Sequence, residues 1–480
     1  MTDNNFYITT TLPYVNADPH IGFAMEIIRA DVIARYQRLL GKNVIFNTGT
    51  DEHGLKIYQK ATELGVAPLE YCSKHAENYR GLKDALNLSF TNFIRTTDPH
   101  HIFASQEFWR RCNKNGDIYK AHYQTKYCVG CELEKTDSEL TDGKCPIHPH
   151  LVIQIIDEEN YFFRFSRYQK PLLELYRQNP DFVIPRFRLE EITKFVEAGL
   201  KDFSISRLKS KMPWGIEVPD DPEQVMYVWF DALVNYISTL GWPENEQAFT
   251  TYWPGIQFAG KDNLRQQSAM WQSMLLSAGL PPSKQIYVEG FITSGGQKMS
   301  KSLGNVIDPL LLVNEFGVDP VRHYLLTEIP SYDDGDFSRG RFIEVYNADL
   351  ANGIGNLTAR VASLCQKSGL TFLETPIVFT QFYPQHHEAL RVYNFSQAYG
   401  ILREDMRSLD HYIEQNKPWE LIKNGSPETE VALQHCVDTI RKLATFLMPF
   451  LPQTAEKIQQ QFAGPSISTQ PPLFPRIEIV

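Results

Sequence analysis

The chain has 480 residues, which at roughly 100–200 residues per domain predicts about three domains. Hydrophobic residues make up 42% and aromatics 12%, enough for packed cores, which excludes disordered and collagen-like classes. A formal net charge of −10 excludes nucleic-acid binding through bulk positive charge and leaves only a local basic face. No apolar run reaches the length of about 18 residues that a membrane span requires. The opening MTDNNFYITTTLPY lacks the basic start and long apolar stretch of a signal peptide, so a cytoplasmic protein is expected.

Along the chain, NNFYITTTLPYV is apolar and β-branched up to Pro13 and reads as a buried strand. A helix is expected from Phe23 to Leu40, closed by Gly41. NVIFNTG reads as a second strand with Thr50-Asp51-Glu52-His53-Gly54 at its carboxyl end, and another helix begins near Leu55. Strand, loop, helix, strand, loop, helix is the pattern of a parallel α/β sheet, in which ligands bind beyond the carboxyl ends of the strands. From Gly116 to Asp157 the periodicity weakens, as in an insertion. The strand-and-turn pattern resumes in VMYVWFDALVNYI, IQFAGKDN and QIYVEGFI, which are expected to complete the parallel sheet. Residues 341–462 show apolar spacings of three and four and read as a helical bundle.

Seven cysteines form an odd set. Cys72, Cys112, Cys365 and Cys436 are scattered and are expected to be small buried apolar residues. Cys128-Val-Gly-Cys131, thirteen residues, then Cys145-Pro-Ile-His148 is different. Two tight loops with two soft ligands each close a tetrahedral shell, the arrangement of a structural zinc site.

Two further segments carry charge chemistry. His20-Ile-Gly22-Phe23 stands before the first long helix. Lys298-Met-Ser-Lys301-Ser302 follows the turn Ser294-Gly-Gly-Gln297. Two lysines three apart on a loop suit a polyphosphate whose charge shifts during reaction.

The ordered set LPYVNADPHIG, TGTDEHG, CxxC…CxxH, SISR, VWFDALVNY, AGKD and KMSKSLGN, with a helical last third, resembles the methionyl-tRNA synthetase family of class I aminoacyl-tRNA synthetases. The resemblance runs from residue 6 to about 420. It implies a Rossmann-type parallel sheet split by a zinc-knuckle insertion and followed by an α-helical anticodon-binding bundle. It also implies ATP-dependent activation of an amino acid to aminoacyl-AMP, with Mg²⁺, and transfer to tRNA. By position, His20, Lys298 and Lys301 would be catalytic, and Gly22, Gly260 and Asp262 would hold ATP together with the two lysines. Asp51 would take the substrate ammonium and Arg207 its carboxylate, as a bidentate guanidinium does. Leu12, Tyr14, Trp229, Ala232, Tyr236 and Trp271 would build the side-chain pocket. Asn356, Arg360 and Trp419 would read single-stranded anticodon bases by stacking and planar hydrogen bonds.

The chain departs from the family in two places. Phe23 stands where the family has a hydrogen-bonding His, and loss of one such donor costs about 10²–10³ in rate. Asn263, Gln266, Gln267 and Met270 replace apolar, aromatic and His positions before Trp271, so Asn263 and Gln267 join the candidate amino-acid site. Such a wall fits methionine or a more polar amino acid. Two alternatives stay open at this point: an ATP-dependent amino-acid ligase of specialised, N–N bond-forming type that works without tRNA, and an inactive tRNA-binding module. Expected domains are residues 1–115 and 223–290 for the two halves of the catalytic sheet and 116–222 for the connective insertion. The KMSKS region would occupy 291–340 and the anticodon-binding bundle 341–480. Because the chain ends soon after the bundle, a monomer is expected.

Overall fold

Six short strands share one parallel sheet: β1 (Asn5–Thr10), β2 (Asn43–Thr50), β3 (Asn92–Arg95), β4 (Val183–Ile184), β5 (Ile256–Gly260) and β6 (Gln285–Glu289). The computed structural model describes residues 4–131, 133–299, 305–373 and 376–478. The spatial order is β3-β2-β1-β5-β6-β4, every pair parallel. The chain winds one way from β1 to β3 and the other way from β5, so the winding reverses between β1 and β5. In sheets of this kind such a reversal leaves a crevice beyond the carboxyl ends of the strands.

The first helix, Ile21–Leu39, is buried on nearly every side, because the sheet covers one face and the C-terminal helices cover the other. Between β3 and β5 lies an antiparallel four-stranded sheet ordered Leu133–Lys135, Ile118–Cys128, Gln154–Phe163 and Phe203–Ser204. A three-stranded sheet of Glu217–Val218, Asp221–Met226 and Ser206–Leu208 follows it.

Here the sequence expectation for VMYVWFDALVNYI is corrected. Its first residues end an antiparallel strand, and the remainder forms two short helices, Val228–Ala232 and Asn235–Ser238. All but Trp229 of residues 225–238 are buried, so no face-to-face alternation survives to distinguish helix from strand.

The C-terminal third is helical, as expected. The long amphipathic stretches are broken at identifiable points. Tyr393, at φ 60°, separates helix Pro384–Arg391 from helix Phe395–Asn416. A π-helical stretch, Tyr346–Gly355, precedes helix Asn356–Ser368. Cys72, Cys112, Cys365 and Cys436 are buried and unbridged. Among the described residues, no helix is long and apolar enough to cross a membrane.

Buried arginines tie the bundle to the sheet. Arg29 donates to Glu289 at 3.1 Å and to the carbonyls of Ile329 and Pro330 at 3.0 and 2.9 Å. Arg322, fully buried, pairs with Asp31 at 2.8 Å and donates to the carbonyls of Phe450 and Pro449 at 2.9 and 2.8 Å. Asp31 also accepts from Arg35 at 2.7 Å and from the Ser89 N–H and hydroxyl, both at 2.6 Å. Burial alone would raise the Asp31 carboxyl, but Arg322, Arg35 and Ser89 outweigh it and hold it below the usual aspartate range. A depressed carboxylate adds stability that is complete above its unfolded pKa and is lost as pH falls through the folded one. Asp31→Ala should therefore cost about 3–5 kcal/mol at pH 7 by leaving Arg322 buried without a counter-ion. The measurement is the urea midpoint, and the gap to the parent should narrow as pH falls below the carboxylate range.

Candidate active site

Both lips of the crevice are turns at strand ends. Beyond β1, Tyr14 forms a parallel bridge with Asp51, while the Asp51 N–H donates to the Pro13 carbonyl at 2.9 Å and the Val15 N–H to the Asp51 carbonyl at 3.2 Å. Leu12, Tyr14 and Asp51 are thereby brought side by side, with Asp51 only 8% exposed. The Asp51 loop is held by the insertion. Trp214 Nε1 donates to the Glu52 carbonyl at 2.5 Å, and His53 Nδ1 lies 3.1 Å from Asp231, which is carried on the same short helix as Trp229 and Ala232.

His20 caps the first helix from an exposed position. The Gly22 N–H donates to His20 Nδ1 at 3.1 Å, so the neutral ring keeps its proton on Nε2 as a donor. A Cβ at Gly22 would stand 2.9 Å from His20 Cε1, so only glycine lets the ring fold back on the helix N-terminus. That terminus concentrates unpaired N–H groups and suits an anion. Phe23 does not serve as a donor. Its ring stands edge-on to Tyr79 at 5.4 Å, and the Tyr79 hydroxyl donates to the Ala17 carbonyl at 3.1 Å, so Phe23 packs the segment that leads to His20.

The opposite lip, Gly260-Lys261-Asp262, follows β5. Asp262 is exposed, Asn263 Nδ2 lies 3.4 Å from it, and Lys261 is paired with Asp334 at 2.7 Å. The floor holds two carboxylates that sequence reasoning missed. Glu26 accepts from the Thr11 N–H and hydroxyl at 2.8 and 2.6 Å, and Glu289 faces Arg29. Burial raises Glu26 well above the usual carboxylate range, with the Glu289 and Asp262 charges adding to it. Burial likewise raises Glu289, to about 7 against the pull of Arg29. For Glu26 the available signal was a charged residue within the otherwise apolar AMEII.

The residues that follow KMSKSLGN abut the first signature. The Ile21 N–H donates to the Ile307 carbonyl at 3.1 Å. The turn Ser294–Gln297 joins strands Ile292–Ser294 and Gln297–Lys298, with Gly295 and Gly296 at φ 62° and 72°, the glycine-dependent form of a two-residue hairpin. Asp336 pins it through the Gly296 N–H at 2.8 Å and the Thr293 hydroxyl at 2.6 Å. Lys298 ends this hairpin, and Lys301 lies outside the described residues.

In the amino-acid region, Trp271 is fully buried, stacked on Phe108 at 5.5 Å and edge-on to Tyr236 at 5.9 Å. Asn263, Gln266 and Gln267, the amides that replace the family's wall, differ in their surroundings. Gln267 is engaged at both ends: its Nε2 donates to the Tyr236 hydroxyl at 2.7 Å, and its Oε1 accepts from Gln257 at 3.2 Å. Asn263 is half-buried beside Asp262. Gln266 is 5% exposed, and its Oε1 has no partner among the described residues. Arg207 is buried between the rings of Tyr127 and Tyr227, 5.3 and 4.7 Å from its guanidinium, and donates to Ser204 Oγ and the Ser206 carbonyl, each at 2.7 Å.

In the insertion, the ligand atoms of Cys128, Cys131, Cys145 and His148 all lie within 4.8 Å of one another. His148 turns Nδ1 inward, 3.2 Å from Cys131 Sγ, and a Cβ at Gly130 would stand 2.5 Å from its ring. Three thiols, one imidazole and a glycine that leaves room for the imidazole fit a tetrahedral metal ion. In the bundle, Asn356 and Arg360 lie one turn apart on one helix, and Trp419, 39% exposed, lies under the Arg360 guanidinium at 5.4 Å. Asp410 and Glu414 hold Arg360 at 3.1 and 2.5 Å.

A parallel sheet with phosphate-suited turns at its switch point, interrupted by a metal knuckle and tied to a helical bundle, defines the class I tRNA ligases. The description "tRNA synthetases class I (M)" matches residues 6–154 and 138–362, and "Anticodon-binding domain of tRNA ligase" matches 379–478. The methionine–tRNA ligase of Thermosynechococcus vestitus is 42% identical over 478 residues, covering 95% of this chain and 90% of that protein. The Mycobacterium tuberculosis methionyl-tRNA synthetase in complex with methionyl-adenylate superposes with a TM-score of 0.91 at 35% identity, over 98% of this chain and 100% of that one. Its free form gives 0.85 at 31% identity, over 99% of both chains. The chain belongs to the class I (M) tRNA synthetase family.

Gly22→Ala should drive its Cβ against the His20 ring and turn Nε2 away from the helix N-terminus. The expected result is a loss of roughly 10- to 100-fold in kcat/KM for ATP, with thermal unfolding close to the parent's. Steady-state ATP–pyrophosphate exchange against ATP concentration checks it.

Proposed function

We propose that the protein is a methionine–tRNA ligase that forms methionyl-adenylate and passes the acyl group to tRNA. The observation that carries the reading is the full-length likeness to methionine–tRNA ligases, joined to a crevice whose turns suit phosphate and ribose. In the first step the methionine carboxylate oxygen attacks the α-phosphorus of ATP and pyrophosphate leaves. The nucleophile is already ionised, so the protein's contribution is positioning and charge. Asp51 holds the ammonium and Arg207 the carboxylate. His20 Nε2 and the helix N-terminus meet the phosphates, Gly260 and Asp262 the ribose, and Lys298 and Lys301 the charge that grows on the departing pyrophosphate. Mg²⁺ accompanies ATP and offsets that charge. In the second step a terminal ribose hydroxyl of tRNA attacks the acyl carbon and AMP leaves. Leu12, Tyr14, Trp229, Ala232, Tyr236 and Trp271 enclose the side chain, with Asn263 and Gln267 at its edge.

The exposed face of Asn356, Arg360 and Trp419 favours tRNA as acceptor over a free amine. Cys128, Cys131, Cys145 and His148 hold one structural zinc, a donor set that suits zinc over hard cations. The reading includes a cytoplasmic monomer, and domains at 1–115, 116–222, 223–290, 291–340 and 341–480.

Exchange of pyrophosphate into ATP should be strong with methionine and weak with the other common amino acids. Methionine should be esterified to tRNA, and Trp419→Ala should lower that esterification by about 10-fold while leaving exchange unchanged. Exchange with a polar amino acid and indifference to tRNA would overturn the reading. One zinc per chain is expected by elemental analysis. Cys145→Ser should release it and expose the insertion to proteolysis, with the bundle unaffected.

A further inference from the structure

One short strand anchors both the ribose turn and the hairpin that ends at Lys298. The strand Gly335–Phe337 pairs in parallel with Ile292–Ser294, the first arm of that hairpin, and sets Asp336 opposite Thr293. Asp336 Oδ1 accepts from the Thr293 hydroxyl at 2.6 Å and from the Gly296 N–H at 2.8 Å, so it grips the arm and the turn together. Asp334 immediately precedes the strand. Both of its oxygens lie 2.7 Å from Lys261 Nζ, in the Gly260-Lys261-Asp262 turn, and Oδ1 also accepts from the Phe291 N–H at 2.9 Å. Lys261 Nζ stands 4.4 Å from the centre of the Phe291 ring. Burial alone would raise the Asp334 carboxyl, but Lys261 and the Phe291 N–H outweigh it and hold it below the usual aspartate range. The register of the strand is fixed by backbone. The Gly335 N–H donates to the Phe291 carbonyl at 2.9 Å, and a Cβ at Gly290 would stand 2.2 Å from the Asp333 carbonyl carbon, so the two segments meet with no room to slide.

We propose that Asp334 and Asp336 are positioning residues for adenylation with separate tasks: Asp334 holds the ribose turn through Lys261, and Asp336 holds the KMSKS hairpin through Thr293 and Gly296. The inference rests on the ATP reading above, in which Gly260 and Asp262 meet the ribose and the hairpin lysines meet the departing pyrophosphate. A ribose contact is made alike in the bound state and the transition state, so loosening it raises the KM for ATP and spares kcat. Charge on the pyrophosphate grows only as its bond to the α-phosphorus breaks, so loosening the hairpin lowers kcat and spares the KM. Two carboxylates that merely stabilised the fold would change the number of active chains and leave both constants per active site where they were.

The experiment is ATP–pyrophosphate exchange against ATP concentration at saturating methionine, with rates divided by the adenylate formed per chain. Asp334→Asn keeps an acceptor for the Phe291 N–H and loses the charge on Lys261. It should raise the KM for ATP about threefold with kcat near the parent's. Lys261→Met should do the same, and the double variant should go no further, because both remove one ion pair. Asp336→Ala should lower kcat about 10-fold with the KM for ATP near the parent's. Asp336→Asn, whose amide oxygen can take the same two donors, should recover most of that loss. Thr293→Val removes one of the two donors and should lower kcat in the same direction, which keeps the test open should Asp336→Ala not fold. A folded Asp334→Asn that leaves the KM for ATP unmoved, or a folded Asp336→Ala whose kcat per active site is unchanged, overturns the assignment while the ATP reading stands. A parent that forms no adenylate with methionine overturns the ATP reading, and the assignment falls with it.

Discussion

Two buried guanidiniums hold the catalytic sheet and the helical bundle in one frame. Arg29 and Arg322 are fully buried, and each faces one carboxylate and a row of main-chain carbonyls. Burying a charge is costly unless its hydrogen-bond capacity is filled. Arg is the side chain that can fill it with several carbonyls at once, since its donors are fixed in a planar fork. Arg322 reaches from the helix after KMSKS to Asp31 on the first helix and to Pro449 and Phe450 in the bundle. Arg29 reaches from the first helix to Glu289 at the end of β6 and to residues 329 and 330. Both pairs carry the first helix, whose N-terminus bears His20. The distance between that terminus and the turn after β6 is thus set by charges that cannot leave their partners without exposure or repulsion.

On this frame the groups proposed to meet substrate are held mostly by main-chain geometry. Gly22 brings a backbone N–H under His20 and fixes the tautomer, and Gly295 and Gly296 turn the hairpin that ends at Lys298. Asp51 is placed by a short parallel bridge to Tyr14. Fixed N–H donors need little reorganisation as charge moves from carboxylate to leaving pyrophosphate. Phe23 is consistent with such a design: its ring braces Tyr79, and the helix N-terminus and His20 stand beside it as donors.

The parts of the molecule that were legible in the sequence are those with strong local patterning. β1, β2, the first helix, the knuckle and the helical last third each carry a periodic or spaced signal over several residues. The segment 225–237 reads as strand and turn because burial on all sides erases both periods. β4 is two residues long and gives no run to detect. Within the site, the motifs marked the residues at strand ends. The partners that set their state were not legible. Glu289 meets Arg29 across 260 residues, and Gln267 meets Gln257 through β5 and the π-turn Gln266–Met270 lying back to back. Gln267 looked like an unpaired amide in a hydrophobic wall because its partner Gln257 sits in the middle of an apparently apolar strand.

The chain is acidic overall, yet the crevice suits a polyanion, and the floor of that crevice holds Glu26 and Glu289 with Asp262 near by. Three ionised carboxylates there would repel the phosphates they must admit. Burial resolves the conflict. Burial raises both Glu26 and Glu289 above the usual carboxylate range, which lowers the negative charge of the floor, and Arg29 offsets charge on Glu289. The N–H donors suited to phosphate stand at the rim, where His20 and the helix N-terminus meet the hairpin that ends at Lys298. On the function proposed above, the phosphates of ATP meet the His20 imidazole and the helix N-terminus at the rim, away from the carboxylates of the floor.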